Sequence, residues 1–315
     1  ALQARLVARP NPWVGAVVVA ADGSTYEGCT SAPGGPHAEI AALARAGESS
    51  RGATLYSTLE PCSHTGRTGP CTQAIINAGI SRVVVGVVDP DTKVAGRGIE
   101  ALRAAGITVD VGACAEKART QLAAYLHHRS TGRPWVVLKM ASTIDGRTAA
   151  ADGSSRWITG PVARQRVHEL RAESDAVLVG AGTVRADDPE LTVRDALGAS
   201  PRRVVLGTAP ADAKVHPCTE WTGDIEPLLD TLGNDGVLQL LVEGGAKVAG
   251  EFHRRGLVNQ YVFHLAPAIA GGDNVPGVFS GAAAASMTDM WRGRIVGTQQ
   301  LGDDVEVIIE PKETK

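Results

Sequence analysis

Short β-branched runs alternate with helical segments along most of the chain, and the alternation is interrupted once, at Gly132-Arg133-Pro134. Before the break, VGAVVVA (14–20), ATLYSTL (53–59) and RVVVGVVD (82–89) read as strands, while 37–47, 71–79 and 99–106 have helical spacing. A helix starting near Ala115 leads into the break. After it, 135–141, 176–182, 202–207 and 238–245 read as strands, 161–174 and 246–256 as helices, and QYVFHLA and DVEVIIE as closing strands. Residues 208–225 fit no element clearly. Such alternation predicts two α/β units, each a mostly parallel sheet covered on both faces. A length of 315 residues suffices for two cores, placed at 1–131 and 134–315.

Composition narrows the function. A formal charge of −3 and 4% aromatic residues argue against nucleic acid as a partner, which calls for a basic face and stacking platforms. No apolar run reaches the ~18 residues of a membrane span, and the opening ALQARLVARPNP does not read as a signal peptide. Five cysteines are an odd number and too few for a secreted disulfide scaffold, so a cytoplasmic, reducing setting is expected. In that setting the segment LEPCSHTGRTGPC (59–71) points to metal binding before a disulfide.

His37 opens a predicted helix behind Pro36, Cys62 follows a strand, and Cys71 begins the next helix. One imidazole and two thiolates are good zinc ligands, and a catalytic zinc leaves a position for water, whose pKa it lowers to about 7. Glu39, two residues past the histidine, can move a proton from that water to a leaving amine. His-x-Glu followed by Pro-Cys-x-x-Cys is the signature of zinc nucleobase deaminases. Here eight residues separate the cysteines, and the inserted SHTGRTGP becomes a candidate substrate loop. His64 could instead close a structural site, but such a site has no use for Glu39.

The motifs PNPWVGAVVV, PHAE, LEPCSHTGRTGPC and VDPDTKVAGRG resemble the deaminase half of the bifunctional riboflavin-biosynthesis deaminase/reductase family. LKMASTIDGRTA, SSRWIT, GTVRADDPELTVR and LVEGGAKVAG resemble its reductase half. The resemblance implies a cytidine-deaminase-like three-layer domain followed by a dihydrofolate-reductase-like domain. It also implies Zn2+ and NADPH as cofactors, a phosphorylated pyrimidine as small-molecule substrate, and a homo-oligomer. The first domain would deaminate 2,5-diamino-6-ribosylamino-4(3H)-pyrimidinone 5′-phosphate, and the second would reduce the ribosyl side chain to ribityl.

Carried over by motif, His37, Cys62 and Cys71 hold zinc, Glu39 shuttles the proton, and Asn11, His64 and Arg67 meet the substrate's ribose and phosphate. The family commonly has a histidine seven residues before the zinc histidine; Thr30 stands there. In the second half, Ser155, Arg171, Leu191, Arg194 and Glu243 would border the sugar phosphate. Ala141, Trp157, Thr183, Asp187, Thr208 and the turn Gly245, Ala246, Lys247, Val248, Ala249, Gly250 and Glu251 would border NADPH. The chemistry of these segments agrees. Gly244-Gly245 before a helix lets phosphate approach free N–H groups, and arginines suit a phosphate.

Lys139, costly on a buried strand, is expected to polarise substrate. Asp187 or Asp188 could supply an acid, although ADDP is also a good turn. His127, His128, Cys29, Cys114 and Cys218 suggest only structural or surface positions. A zinc deaminase of another base with an inactive second domain is the competing reading.

Overall fold

The computed structural model describes residues 1–64 and 69–312. The chain divides into two compact units, Ala1–Arg133 and Pro134–Lys315. The first contains β1 (Gly15–Val19), β2 (Thr25–Cys29), α1 (Ala38–Ala46), β3 (Thr54–Leu59), α2 (Cys71–Asn77), β4 (Arg82–Val87), α3 (Arg97–Ala104), β5 (Thr108–Val111) and α4 (Ala115–Thr131). Its sheet runs β2-β1-β3-β4-β5. The expected parallel pairing holds for β3, β4 and β5, whereas β1 lies antiparallel to both β2 and β3. The reason is local. Asp22-Gly23-Ser24 makes a tight turn, with Gly23 at φ 86° and the Asp22 carboxylate accepting from the Ser24 N–H at 2.9 Å, and so short a link permits only an antiparallel pair. Val83, Val84, Val85 and Val87 of β4 are all buried, so both faces of this central strand are covered.

The second unit contains β6 (Trp135–Thr143), α5 (Pro161–Ala172), β7 (Ala176–Gly180), α6 (Ala181–Asp187), β8 (Arg202–Leu206), β9 (Thr219–Trp221), α7 (Ile225–Asn234), β10 (Gln239–Val242), α8 (Ala246–Arg254), β11 (Gln260–Ala266), β12 (Gly293–Leu301) and β13 (Asp304–Pro311). The sheet order is β12-β13-β11-β6-β10-β7-β8-β9. Strands from β11 to β9 are parallel, and β13 and β12 turn back antiparallel at one edge. Alternation along β6 divides two cores. Val136, Leu138 and Met140 pack with Leu228, Leu229 and Leu232 of α7 and Phe252 of α8. Val137 packs on the other face with Leu170 of α5 and Val184 of α6. Lys139 and Ala141 share the parity of Val137 and so point to the α5 side.

One close approach fixes where the first site forms. A β-carbon on Gly28 of β2 would collide with the Ala38 carbonyl and the Ala42 amide of α1. The bare backbone of Gly28 therefore lets the first turn of α1 lie directly on the sheet. Gly28→Ala should cost about 1–3 kcal/mol through overpacking and displace that turn. Thermal unfolding should show a lower Tm together with weaker zinc retention; an unchanged Tm would contradict this packing.

Candidate active sites

Two strand-to-helix junctions converge in the first unit. His37 enters α1 with an extended backbone (φ −71°, ψ 164°), and Glu39 sits in the first turn. Cys62 follows β3 after Glu60-Pro61, and Cys71 is the first residue of α2. The Thr72 and Cys71 amides donate to the Cys62 carbonyl and Sγ at 3.1 and 3.4 Å, which clamps the two cysteines together. His37 Nδ1 lies 3.6 Å from Cys62 Sγ and 3.3 Å from Cys71 Sγ. Tetrahedral zinc with ordinary Zn–N and Zn–S bonds spaces such ligand atoms about 3.5 Å apart. The three side chains therefore fit zinc as they stand.

Their electrostatics fit as well. The Cys62 thiol is held down to about 4, first by its hydrogen bond with Cys71 and then by His37. Cys71 is pushed far above an ordinary thiol by that same bond and by burial. His37 is raised through its bond to Cys62. One thiolate is thus shared among donors whose protons a cation can displace. Glu39, 4% exposed, is pushed up to about 7 by burial.

A cavity of about 310 Å³ opens beside this cluster, lined among others by Asn11, Thr30, His37, Glu39, Cys62 and His64. Arg67 lies outside the described residues. Thr30, where the family commonly has histidine, is buried and accepts a hydrogen bond from the Val14 amide at 3.1 Å. Four further lining residues, Glu60, Asp89, Tyr125 and Arg129, do not stand out in the sequence. The Tyr125 hydroxyl donates to Asp89 at 3.1 Å, and Arg129 pairs with Asp91 at 3.6 Å. The buried Glu60 carboxylate accepts from the amides of Asp89, Gly96, Gly98 and Ile99 at 2.9–3.3 Å. Only the acid directly before Pro61-Cys62 hinted at this anchor.

In the second unit a cavity of about 550 Å³ gathers Lys139, Ala141, Ser155, Trp157, Arg171, Thr183, Asp187, Leu191, Arg194 and Glu243. Its floor is made by the carboxyl-terminal parts of parallel strands, the usual place for ligands in open α/β sheets. Arg171 and Glu243 form a two-pronged ion pair at 2.6 and 2.9 Å. Burial opposes the charge on Glu243, yet Arg171 and Lys139 hold its pKa below the ordinary value. Burial lowers the pKa of Lys139, against the pull of Glu243. Arg194 makes an exposed pair with Glu190 at 2.7 Å. Leu191 is buried at a φ of 53°, a left-handed conformation uncommon for a side chain of its kind. Trp157 is 69% exposed, with Arg164 over its ring at 4.5 Å. Arg164, His168 and Lys214 also line the cavity without having been singled out from the sequence.

The predicted glycine turn is only partly a surface. Gly245 precedes α8 and lies beside a cavity residue, since a β-carbon there would be 3.5 Å from Thr183 Oγ1. Lys247, Val248 and Glu251 line a separate groove with Leu206, Ile225 and Arg254. Ala246 is half-buried, whereas Ala249 and Gly250 are buried, and a β-carbon on Gly250 would strike the Ser280 carbonyl. Thr208 is exposed just after β8 and lines neither depression.

Comparison with known proteins gives both units relatives. Residues 134–307 match the RibD C-terminal domain, and residues 1–87 match the cytidine and deoxycytidylate deaminase zinc-binding region. The riboflavin biosynthesis protein RibD of Escherichia coli is 38% identical over 87% of this chain and 86% of its own length. That of Mycobacterium tuberculosis is 40% identical over 94% and 90%. Acinetobacter baumannii RibD superposes with a TM-score of 0.91 at 37% identity, covering 98% of this chain and 95% of its own. A diaminohydroxyphosphoribosylaminopyrimidine deaminase/5-amino-6-(5-phosphoribosylamino)uracil reductase from Thermotoga maritima gives 0.86 at 35% identity, covering 97% and 94%.

The Glu60 anchor makes a prediction of its own. Glu60→Ala strands buried amides, each costing about 1–3 kcal/mol, and frees the 89–99 segment from the cysteine loop. Hydrogen exchange should show lost protection at Gly96, Gly98 and Ile99; protection retained at those amides would refute the anchoring role.

Proposed function

The chain belongs to the RibD family, and we propose that its two units perform consecutive steps on one phosphorylated pyrimidine. The first hydrolytically deaminates 2,5-diamino-6-ribosylamino-4(3H)-pyrimidinone 5′-phosphate. The second reduces the ribosyl side chain to ribityl with NADPH. The observation that carries this reading is a buried Glu39 beside a zinc-fitting His37–Cys62–Cys71 trio, in the same chain as a lysine-floored cavity at the ends of parallel strands.

Bound zinc, held by His37, Cys62 and Cys71, supplies the Lewis acid that lowers the pKa of water. The Glu39 carboxylate would take a proton from the attacking water and pass it to the departing amine, so that water and the amino compound become a carbonyl compound and ammonia. Held in the first turn of α1 and buried, this carboxylate is placed to accept and then release a proton. Asn11, His64 and Arg67 hold the ribose phosphate, with the amide of Asn11 able to donate and accept.

Bound NADPH supplies two electrons in the second step. Lys139 polarises the opened sugar, with the nearby Glu243 carboxylate favouring its charged form against burial. Because Arg171 is committed to Glu243, the phosphate falls to Arg194, whose partner Glu190 is exposed and readily exchanged. Ser155 and Leu191 complete the sugar pocket, while Ala141, Trp157, Thr183, Asp187 and the exposed part of the Gly245–Glu251 turn border the dinucleotide. A cytoplasmic homo-oligomer without nucleic-acid or membrane partners completes the reading. Among the described residues, no helix is long and apolar enough to cross a membrane.

Two substitutions test the division of labour. Glu39→Gln should retain zinc while deamination falls by about 10²–10⁴-fold, and reduction of the pre-deaminated compound continues. Lys139→Ala should lower reduction by about 10²–10³-fold with deamination intact. Normal deamination in the first variant, or normal reduction in the second, would sink the assigned role.

A further inference from the structure

Outside the His37 cluster, one other group of histidine, cysteine and acidic side chains among the described residues brings three ligand atoms within 4.8 Å of one another. It consists of His216, Cys218 and Glu220. Glu220 lies in β9, whereas Cys218 and His216 lie on the bent segment that enters it, and the bend at Pro217 leaves all three ligand atoms close together. β9 is the edge strand of its sheet, and this edge is open enough to leave Glu220 exposed and the other two half-buried.

Two of the three ligands are already oriented by an outer contact. His216 Nε2 lies 2.9 Å from the Pro210 carbonyl, which can only accept. The proton therefore sits on Nε2, and the Nδ1 lone pair is left facing Cys218 Sγ at 3.5 Å. That separation matches the nitrogen–sulfur edge of about 3.5 Å in a tetrahedral zinc site. Glu220 Oε1 accepts from the Ala209 amide at 2.9 Å, which fixes the carboxylate and leaves its second oxygen free. A histidine bonded to a backbone carbonyl and a carboxylate itself hydrogen-bonded are the outer contacts expected of metal ligands. Nitrogen, thiolate and carboxylate together suit a borderline-soft divalent cation.

We propose that His216, Cys218 and Glu220 form a second divalent-cation site of the zinc type, separate from the deaminase centre. Binding would release the Cys218 thiol proton to solvent and leave a fourth position for water. Because the outer contacts reach Ala209 and Pro210, a bound cation would pin the segment after β8 to β9. The inference does not depend on the proposed catalytic reading, since no residue of either catalytic cavity is a ligand.

The test is a cobalt titration of the full-length protein carrying zinc in its first site, with citrate present as a weak competitor. The expected result is one further equivalent of cobalt with a near-ultraviolet thiolate-to-cobalt charge-transfer band. Cys218→Ser and His216→Gln should each abolish the band, and Glu220→Gln should weaken binding about tenfold or more, with deamination and reduction unchanged in all three. The wild-type titration decides even if a variant fails to fold. No additional equivalent in the wild type, or an unchanged band in Cys218→Ser, would overturn the site.

Discussion

Parallel strand pairing is the constraint on which the rest of this molecule depends. Parallel neighbours need a crossover between them, so the junctions that carry functional groups collect at one end of the sheet. In the second unit β6, β10 and β7 deliver Lys139, Glu243 and the α6 residues Thr183 and Asp187 to one cavity. In the first, β3 leads through Glu60 to Cys62, while the antiparallel hairpin β1–β2 leads to the helix that carries His37 and Glu39. Chemistry then follows from what is buried there. Burial pushes the Glu39 carboxyl up to about 7, and the half-buried Arg171–Glu243 pair sets a carboxylate within electrostatic reach of Lys139.

The two sites handle charge differently. At the first, a thiolate, a buried acid and an imidazole compete for protons, and the arrangement comes to rest when a divalent cation replaces them. At the second, compensation is internal. Glu243 is paired with Arg171 and feels the charge of Lys139 as well, and these two cations keep its pKa below the ordinary value in spite of its burial. An uncompensated partner there would be costly, because removing one member of a buried pair strands the other.

Much of this was legible from residues alone, for identifiable reasons. Val-rich β1, β4 and β7 announce themselves because they are buried and β-branched, and His37, Glu39, Cys62 and Cys71 because their types and junctions leave few alternatives. Short polar edges did not: β2 (TYEGC) lacks a clean alternation, β5 (TVDV) is only four residues long with one of them buried, and β12 is exposed along most of its length. α7 was hidden by its short, proline-containing sequence, although its buried leucines are plain in the structure. Tertiary pairing was equally invisible. The Glu243 partner of Arg171, 72 positions away, and the burial of Ala249 and Gly250 appear only in the folded chain. Cys218 looked solitary because His216 and Glu220 gain meaning as neighbours only once the fold brings the three ligand atoms together.

The central claim is that one chain deaminates and then reduces the same molecule. Its most direct test is NADPH absorbance after the diaminopyrimidinone ribosyl phosphate is added to zinc-loaded wild-type protein. The account predicts ammonia release followed by stoichiometric NADPH oxidation. Ammonia release with no oxidation, even when the deaminated compound is supplied directly, would contradict it.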